Sequence, residues 1–160
     1  VADRILNGRE IVVHDDGKKP WTVTHADDFA KGFVPLMGNP AANGEAFHIT
    51  TDEVINWDEL YDSIAAALGK EARKVHVPSD FIIGVQPDKE GTLLGDKSHK
   101  AIFDNSKIKR VVPGFEATIP FKQGVKRTAT WFEANPEYKV VNEAENAATD
   151  QILDAWKKTK

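Results

Sequence analysis

Apolar positions fall into short blocks along the chain, some spaced by two and some by three or four, with turn residues between them. Ala2–Leu6 run into Asn7-Gly8, and a glycine there suits the left-handed residue that follows a helix. They read as the end of a helix that begins upstream of Val1. Glu10–His14 and Trp21–His25 alternate or are β-branched on either side of Asp16-Gly17, which predicts a β-hairpin. Asp27 or Asp28 is the expected cap of the next helix, whose apolar stripe is Phe29, Ala30, Phe33, Val34 and Met37, ending at Gly38. Pro35 lacks a backbone donor and is expected to kink or shorten the last turn.

Asn43-Gly44 turns the chain into an expected strand, Ala46–Thr50. The strongest helical signal follows: Asn56 as cap, Glu59 three residues on to bond back, and Trp57, Leu60, Tyr61, Ile64 and Leu68 on one face before Gly69. Lys74–Val77 reads as a strand, and Pro78 opens a short apolar segment through Val85. A polar stretch leads to a short strand, Ala101–Phe103, and to a brief helix capped by Asp104 and closed by Pro113. Pro120 opens a helix carrying Phe121, Val125, Ala129 and Phe132. The last helix is expected to bury Val141, Ala144, Ala148, Ile152 and Trp156. Neither repeats nor a separating linker break this order, so residues 1–160 read as one unit of mixed α/β class.

Composition narrows the functional classes. The chain has 160 residues, 21 Lys+Arg against 25 Asp+Glu and a net charge of −4, so no global positive charge is available for phosphate backbones or anionic lipid. Nucleic acid and membrane are therefore not expected partners. Without cysteine there is no disulfide, thiolate metal site or thiol nucleophile, and a cytoplasmic location is the expectation. No apolar run reaches the ~18 residues of a spanning helix. The chain starts with Val rather than Met, and is expected to continue something longer.

Phosphate-cradling loops, G-x-S-x-G and H-E-x-x-H are missing, and Gly91 and Gly95 form only a loose pair. None of His14, His25, His48, His76 and His99 has a second histidine at i+4, so no metal site is expected; His48 and His76 read as packed or hydrogen-bonded strand residues. Lys97, Lys100, Lys107, Lys109 and Arg110 form the one dense basic stretch, either a solvated face or an anion-binding wall helped by the helix N-terminus near Asp104.

Trp21-Thr-Val-Thr-His25-Ala-Asp27-Asp28-Phe-Ala30, Gly44-Glu-Ala-Phe-His48-Ile-Thr50, Trp57-Asp-Glu-Leu60, Val77-Pro78, Phe103-Asp-Asn-Ser-Lys107-Ile and Pro120-Phe-x-x-Gly124 to Trp131, in this order, resemble the C-terminal half of an extended short-chain dehydrogenase/reductase of the NAD-dependent epimerase/dehydratase family. The resemblance implies the substrate-binding portion of a Rossmann-like α/β enzyme whose cofactor half, with NAD or NADP and a Y-x-x-x-K dyad, is absent from this chain. Ala65 follows Tyr61 by four and Asn142 follows Tyr138 by four, so neither tyrosine supplies the dyad. Catalytic and cofactor-binding residues are therefore expected to be none here, and the chain alone is expected to be inactive and not to bind NAD(H) or NADP(H). Trp21, His25, Asp96, His99 and Lys107 are the implied substrate-facing set, for a sugar-like or other hydroxy/keto small molecule. Many nucleotide-sugar members carry a diphosphate-binding arginine at the position of Trp21 and another near Leu93, so this chain departs from that pattern. The expected partners are the small-molecule substrate, the missing N-terminal Rossmann half, whose sheet the His48 strand would extend, and further copies of the chain. A self-standing metabolite-binding or regulatory module without catalysis is the alternative reading.

Overall fold

The structure, a computed structural model, describes residues 1–160. In chain order it holds α1 (Ala2–Leu6), β1 (Glu10–His14), β2 (Pro20–Trp21), α2 (Ala26–Phe33), β3 (Ile55–Asn56), α3 (Trp57–Ala67), β4 (Arg73–Val77) and α4 (Ser79–Val85). A single turn α5 (Glu90–Thr92), α6 (Ser106–Val111), α7 (Phe121–Ala134) and α8 (Glu143–Lys157) complete it.

The expected hairpin is not formed. β1 pairs in parallel with β4, from Glu10 opposite Arg73 to His14 opposite Val77, while β2 pairs antiparallel with β3. The reason lies in the run Ile11-Val12-Val13, apolar on both faces, as a strand covered on both sides must be. Ile11 packs with Ile5 and Ala65, and Val13 with Trp57 and Leu60, which places α1 and α3 on one face. Val12 joins Val77, Ile82, Leu93 and Ile152 on the other, under α4 and α8. Asp16-Gly17 does turn the chain, with Gly17 at φ +70°, but sends it toward β3 instead of back along β1.

α3 has the predicted capping box: Asn56 Oδ1 accepts the Glu59 amide at 2.9 Å, and Glu59 Oε2 accepts the Asn56 amide at 2.9 Å. α2 departs from expectation twice. Its cap is His25, whose Nδ1 accepts the Asp27 amide at 3.1 Å. Asp28 is fully buried instead, accepting the Ile119 amide at 2.7 Å and the Lys31 ammonium at 2.6 Å. The side of α2 that faces the protein is set by Gly32, where an added Cβ would lie 2.5 Å from Ile49 and 3.0 Å from Phe115. Its apolar stripe consequently faces outward, with Phe29, Phe33, Val34 and Met37 between 43% and 66% exposed. The helix ends in the tight turn Val34–Leu36 around Pro35, as expected.

Ala46–Thr50 and Ala101–Phe103 are extended but belong to no ladder. Ala46, Phe47, His48 and Ile49 make no backbone–backbone hydrogen bond, and a strand needs a neighbour. Ala101 donates only to the Pro20 carbonyl and accepts from the Thr22 hydroxyl. Ile49 nevertheless packs inward with Ile108, Val112 and Phe115, the core beneath α2. In α8 the buried side carries Asn146, Ile152 and Leu153, and Val141 and Ala144 are exposed. The polar positions follow from Arg4, a nearly buried cation that reaches the Asn146 carbonyl at 3.2 Å and Asp150 at 2.8 Å.

Candidate functional site

Parallel α/β sheets bind ligands beyond the C-terminal ends of their strands, where the following turns diverge. At that end of β1 lies a cavity of about 400 Å3 bordered by Val12, His14, Tyr61, Leu93, Lys97 and Thr149 among others. Strand, α3, the segment after α4 and α8 each contribute to it. That volume is in the range of small-molecule sites.

His14 is the most deeply set polar group there, 5% exposed. Its Nε2 donates to the Lys97 carbonyl at 3.1 Å, and its ring meets Trp57 edge-on at 4.9 Å. Burial holds the imidazole below its ordinary pKa, so at neutral pH it presents an uncharged ring. Burial likewise pushes the Tyr61 phenol up, keeping it protonated and able to donate. Lys89, also on the lining, pairs with Glu145 at 3.0 Å. Together the groups offer one buried neutral histidine, one phenol, the hydroxyls of Thr92 and Thr149, and both ammonium groups (Lys89, Lys97) and carboxylates (Asp88, Glu145). They can hydrogen-bond and stack a polar ring, but include no nucleophile with an activating base.

The five residues chosen from the sequence are dispersed. Trp21 is half-buried against Trp57, ring centroids 5.1 Å apart, and the Trp57 ring in turn meets His14. Asp96 and His99 are exposed and flank Lys97; His99 Nε2 donates to the Leu94 carbonyl at 2.5 Å. His25 caps α2 and lies on Gly124 of α7, whose added Cβ would come within 2.8 Å of the ring. Lys107 on α6 binds Glu45 at 2.6 Å and the Ala46 carbonyl at 2.9 Å and sits over the Phe47 ring. Lys109 is similarly engaged by Asp52. Sequence reading passed over His14 and Tyr61. The available signal was an apolar strand ending in His14-Asp15-Asp16, but it marks a ligand end only once β1 is known to be parallel.

A dinucleotide cofactor does not fit this chain's own turns. A pyrophosphate needs backbone donors at a glycine turn and a free helix N-terminus. Here β1 runs into the carboxylates Asp15 and Asp16, and the first amide of α4 after β4 is taken by Asp15 Oδ1 at 2.8 Å.

No protein-family model matches the chain. It is 30% identical over 110 residues, 68% of its length, to the 2′-dehydrokanamycin reductase of Streptomyces kanamyceticus. It is 25% identical over 131 residues to the UDP-glucose 4-epimerase of Mycolicibacterium smegmatis. Among solved structures, an epimerase of Methanothermobacter thermautotrophicus superposes with TM-score 0.68 at 20% identity over 85% of the chain. The Thermotoga maritima UDP-glucose 4-epimerase with UDP-glucose gives 0.61 at 21% identity over 84%. The fold is thus the mixed α/β arrangement of the C-terminal portions of Rossmann-like epimerases and dehydratases. The chain belongs to the NAD-dependent epimerase/dehydratase family of extended short-chain dehydrogenases/reductases, matching its members' C-terminal part. It spans about a third of the length of the curated relatives it matches, 31% of the reductase and 37% of the epimerase. No helix is long and apolar enough to cross a membrane.

Proposed function

We propose that this chain is the substrate-binding part of an NAD(P)-dependent epimerase, dehydratase or reductase acting on a sugar-like hydroxy/keto small molecule. The observation that carries the reading is the cavity at the C-terminal end of β1, with buried His14 and half-buried Tyr61, both uncharged, in its wall. Hydroxyl-rich rings are recognised by such a combination of aromatic faces and hydrogen-bonding groups. The printed names of the relatives, a 2′-dehydrokanamycin reductase and a UDP-glucose 4-epimerase, support a sugar as substrate. Trp21 in place of an arginine favours a ring without a diphosphate, as in the first of these.

Proton transfer and the nicotinamide would come from an N-terminal Rossmann half, the chain's proposed partner; cofactor binding and turnover then require that half. Asp96 and His99 enter the proposal as the exposed rim beside Lys97, Trp21 as the support behind Trp57 and His14, and His25 and Lys107 as groups at the surface facing the partner. A titration of the isotope-labelled 160-residue protein tests the reading. Kanamycin or UDP-glucose is expected to shift His14, Tyr61 and Lys97 resonances, and NADH to leave them in place. If neither sugar compound moves these signals, the cavity is not a substrate site.

A further inference from the structure

Between Ser79 and Ser98 the chain makes an excursion from the β1–β4 core: α4, the turn Pro87–Lys89, α5 and the π-helical turn Leu93–Lys97. Ile82, Lys89, Thr92, Leu93 and Lys97 of this excursion form one wall of the cavity. Its two ends meet on a single carboxylate. Asp15 Oδ1 accepts the Ser79 amide at 2.8 Å, and Oδ2 accepts the Ser79 hydroxyl at 2.9 Å and the Ser98 hydroxyl at 3.3 Å. The two hydroxyls are themselves 2.9 Å apart. Next to Asp15, His14 holds the Lys97 carbonyl, so successive residues at the end of β1 grip Lys97 and Ser98.

Asp15 is also the one non-glycine residue with positive φ, at 53°, a conformation L-residues avoid. That turn brings the carboxylate over the neck of the excursion. The bonds it accepts outweigh the burial that opposes ionisation, and hold the carboxyl below the usual carboxylate range. Farther out, side chains tie the excursion to α8: Ile82 and Leu93 pack with Ile152, Phe81 meets Trp156, Lys89 reaches Glu145 and Gln86 reaches Gln151.

We propose that Asp15 is a positioning residue that clasps the neck of the Ser79–Ser98 excursion and so holds the cavity wall, Leu93 and Lys97 in particular, in its binding arrangement. The proposal rests on the reading of the cavity as the substrate site, and concerns how that site keeps its shape. An excursion joined at its neck closes a long loop at one point, and the wall it carries loosens when that point opens.

Hydrogen exchange on the 160-residue protein tests the clasp without any ligand. Asp15→Gly keeps the backbone at ease and removes the carboxylate. The amides of Leu93–Ser98 are then expected to exchange at least tenfold faster, with β1, β4 and α3 unchanged. Ser98→Ala, which leaves Asp15 in place, is expected to loosen Leu93–Ser98 but not Ser79–Ile82, and Ser98→Thr to restore parent rates. Should Asp15→Gly not fold, the Ser98 pair decides. Unchanged local exchange, or an equal rise across β1, β4 and α3, overturns the clasp. In the kanamycin and UDP-glucose titrations, Ser98→Ala is expected to weaken whichever compound the parent binds about tenfold, and Ser98→Thr to recover it. Loosened exchange with unaltered affinity overturns the positioning role, whereas a parent protein that binds neither compound defeats the cavity reading and leaves the exchange result to decide the clasp.

Discussion

Asp58, at the start of α3, is 8% exposed and receives the Lys18 ammonium at 2.8 Å and His76 Nε2 at 2.9 Å, with Lys74 at 3.5 Å. Burial disfavours its charge, but these partners more than offset it and hold the pKa to about 2. A depressed carboxylate contributes stability above its unfolded pKa of about 3.9, and loses it as pH falls toward the folded value. Asp58→Asn is therefore expected to cost ~2 kcal/mol at pH 7 and to flatten the acid dependence between about pH 5 and 2, measured by urea unfolding at several pH values. Gly17 lies against the same carboxylate: an added Cβ would sit 2.7 Å from Asp58 Oδ1, at φ +70°. Gly69 has a comparable φ of +65° with open space around it. Gly17→Ala should destabilise by roughly 1–3 kcal/mol and by more than Gly69→Ala in the same unfolding assay, the difference reporting the contact. None of this was legible in the sequence, because Asp58 meets Lys18 and His76 only after β1 and β4 have paired.

At the scale of elements, what could be read depended on how local its cause was. The α3 cap is complete within four residues, Asn56 to Glu59, and forms as its pattern says. Asn56→Ala should lower stability by about 1 kcal/mol in thermal unfolding. The β1 partner could not be read that way: a plausible turn stood at Asp16-Gly17, whereas the observed partner begins at Arg73. α2 shows the other failure. Its periodicity was visible, but periodicity does not say which side faces in, and Gly32 against Ile49 reverses the expected orientation. For the candidate site the same holds: His14 marks a ligand-binding strand end only once β1 is known to be parallel, and the residues that motif resemblance implies lie on β2, the α2 cap, α6 and the 96–99 turn.

For the whole molecule, the outward stripe of α2 and the unpaired backbone of Phe47–Ile49 lie on adjoining elements, joined through Ile49 and Gly32. An apolar helix face beside an open strand edge invites association. The 160-residue protein is expected to form dimers or larger species in sedimentation at micromolar concentration, with the Ala46–Thr50 amides protected only there. Phe33→Ser, at a residue 47% exposed, should shift the distribution toward monomer while changing stability by no more than about 0.5 kcal/mol. The parallel pairing of β1 with β4 has a further consequence in time. Within residues 1–160, β1 meets its strand partner only once Val77 has left the ribosome, and Val77 and Ile82 meet Ile152 only when that residue follows. At roughly 5–20 residues per second the β4 edge of β1 stays open for on the order of ten seconds, an interval in which a holding chaperone would find Ile11, Val12 and Val13 in reach.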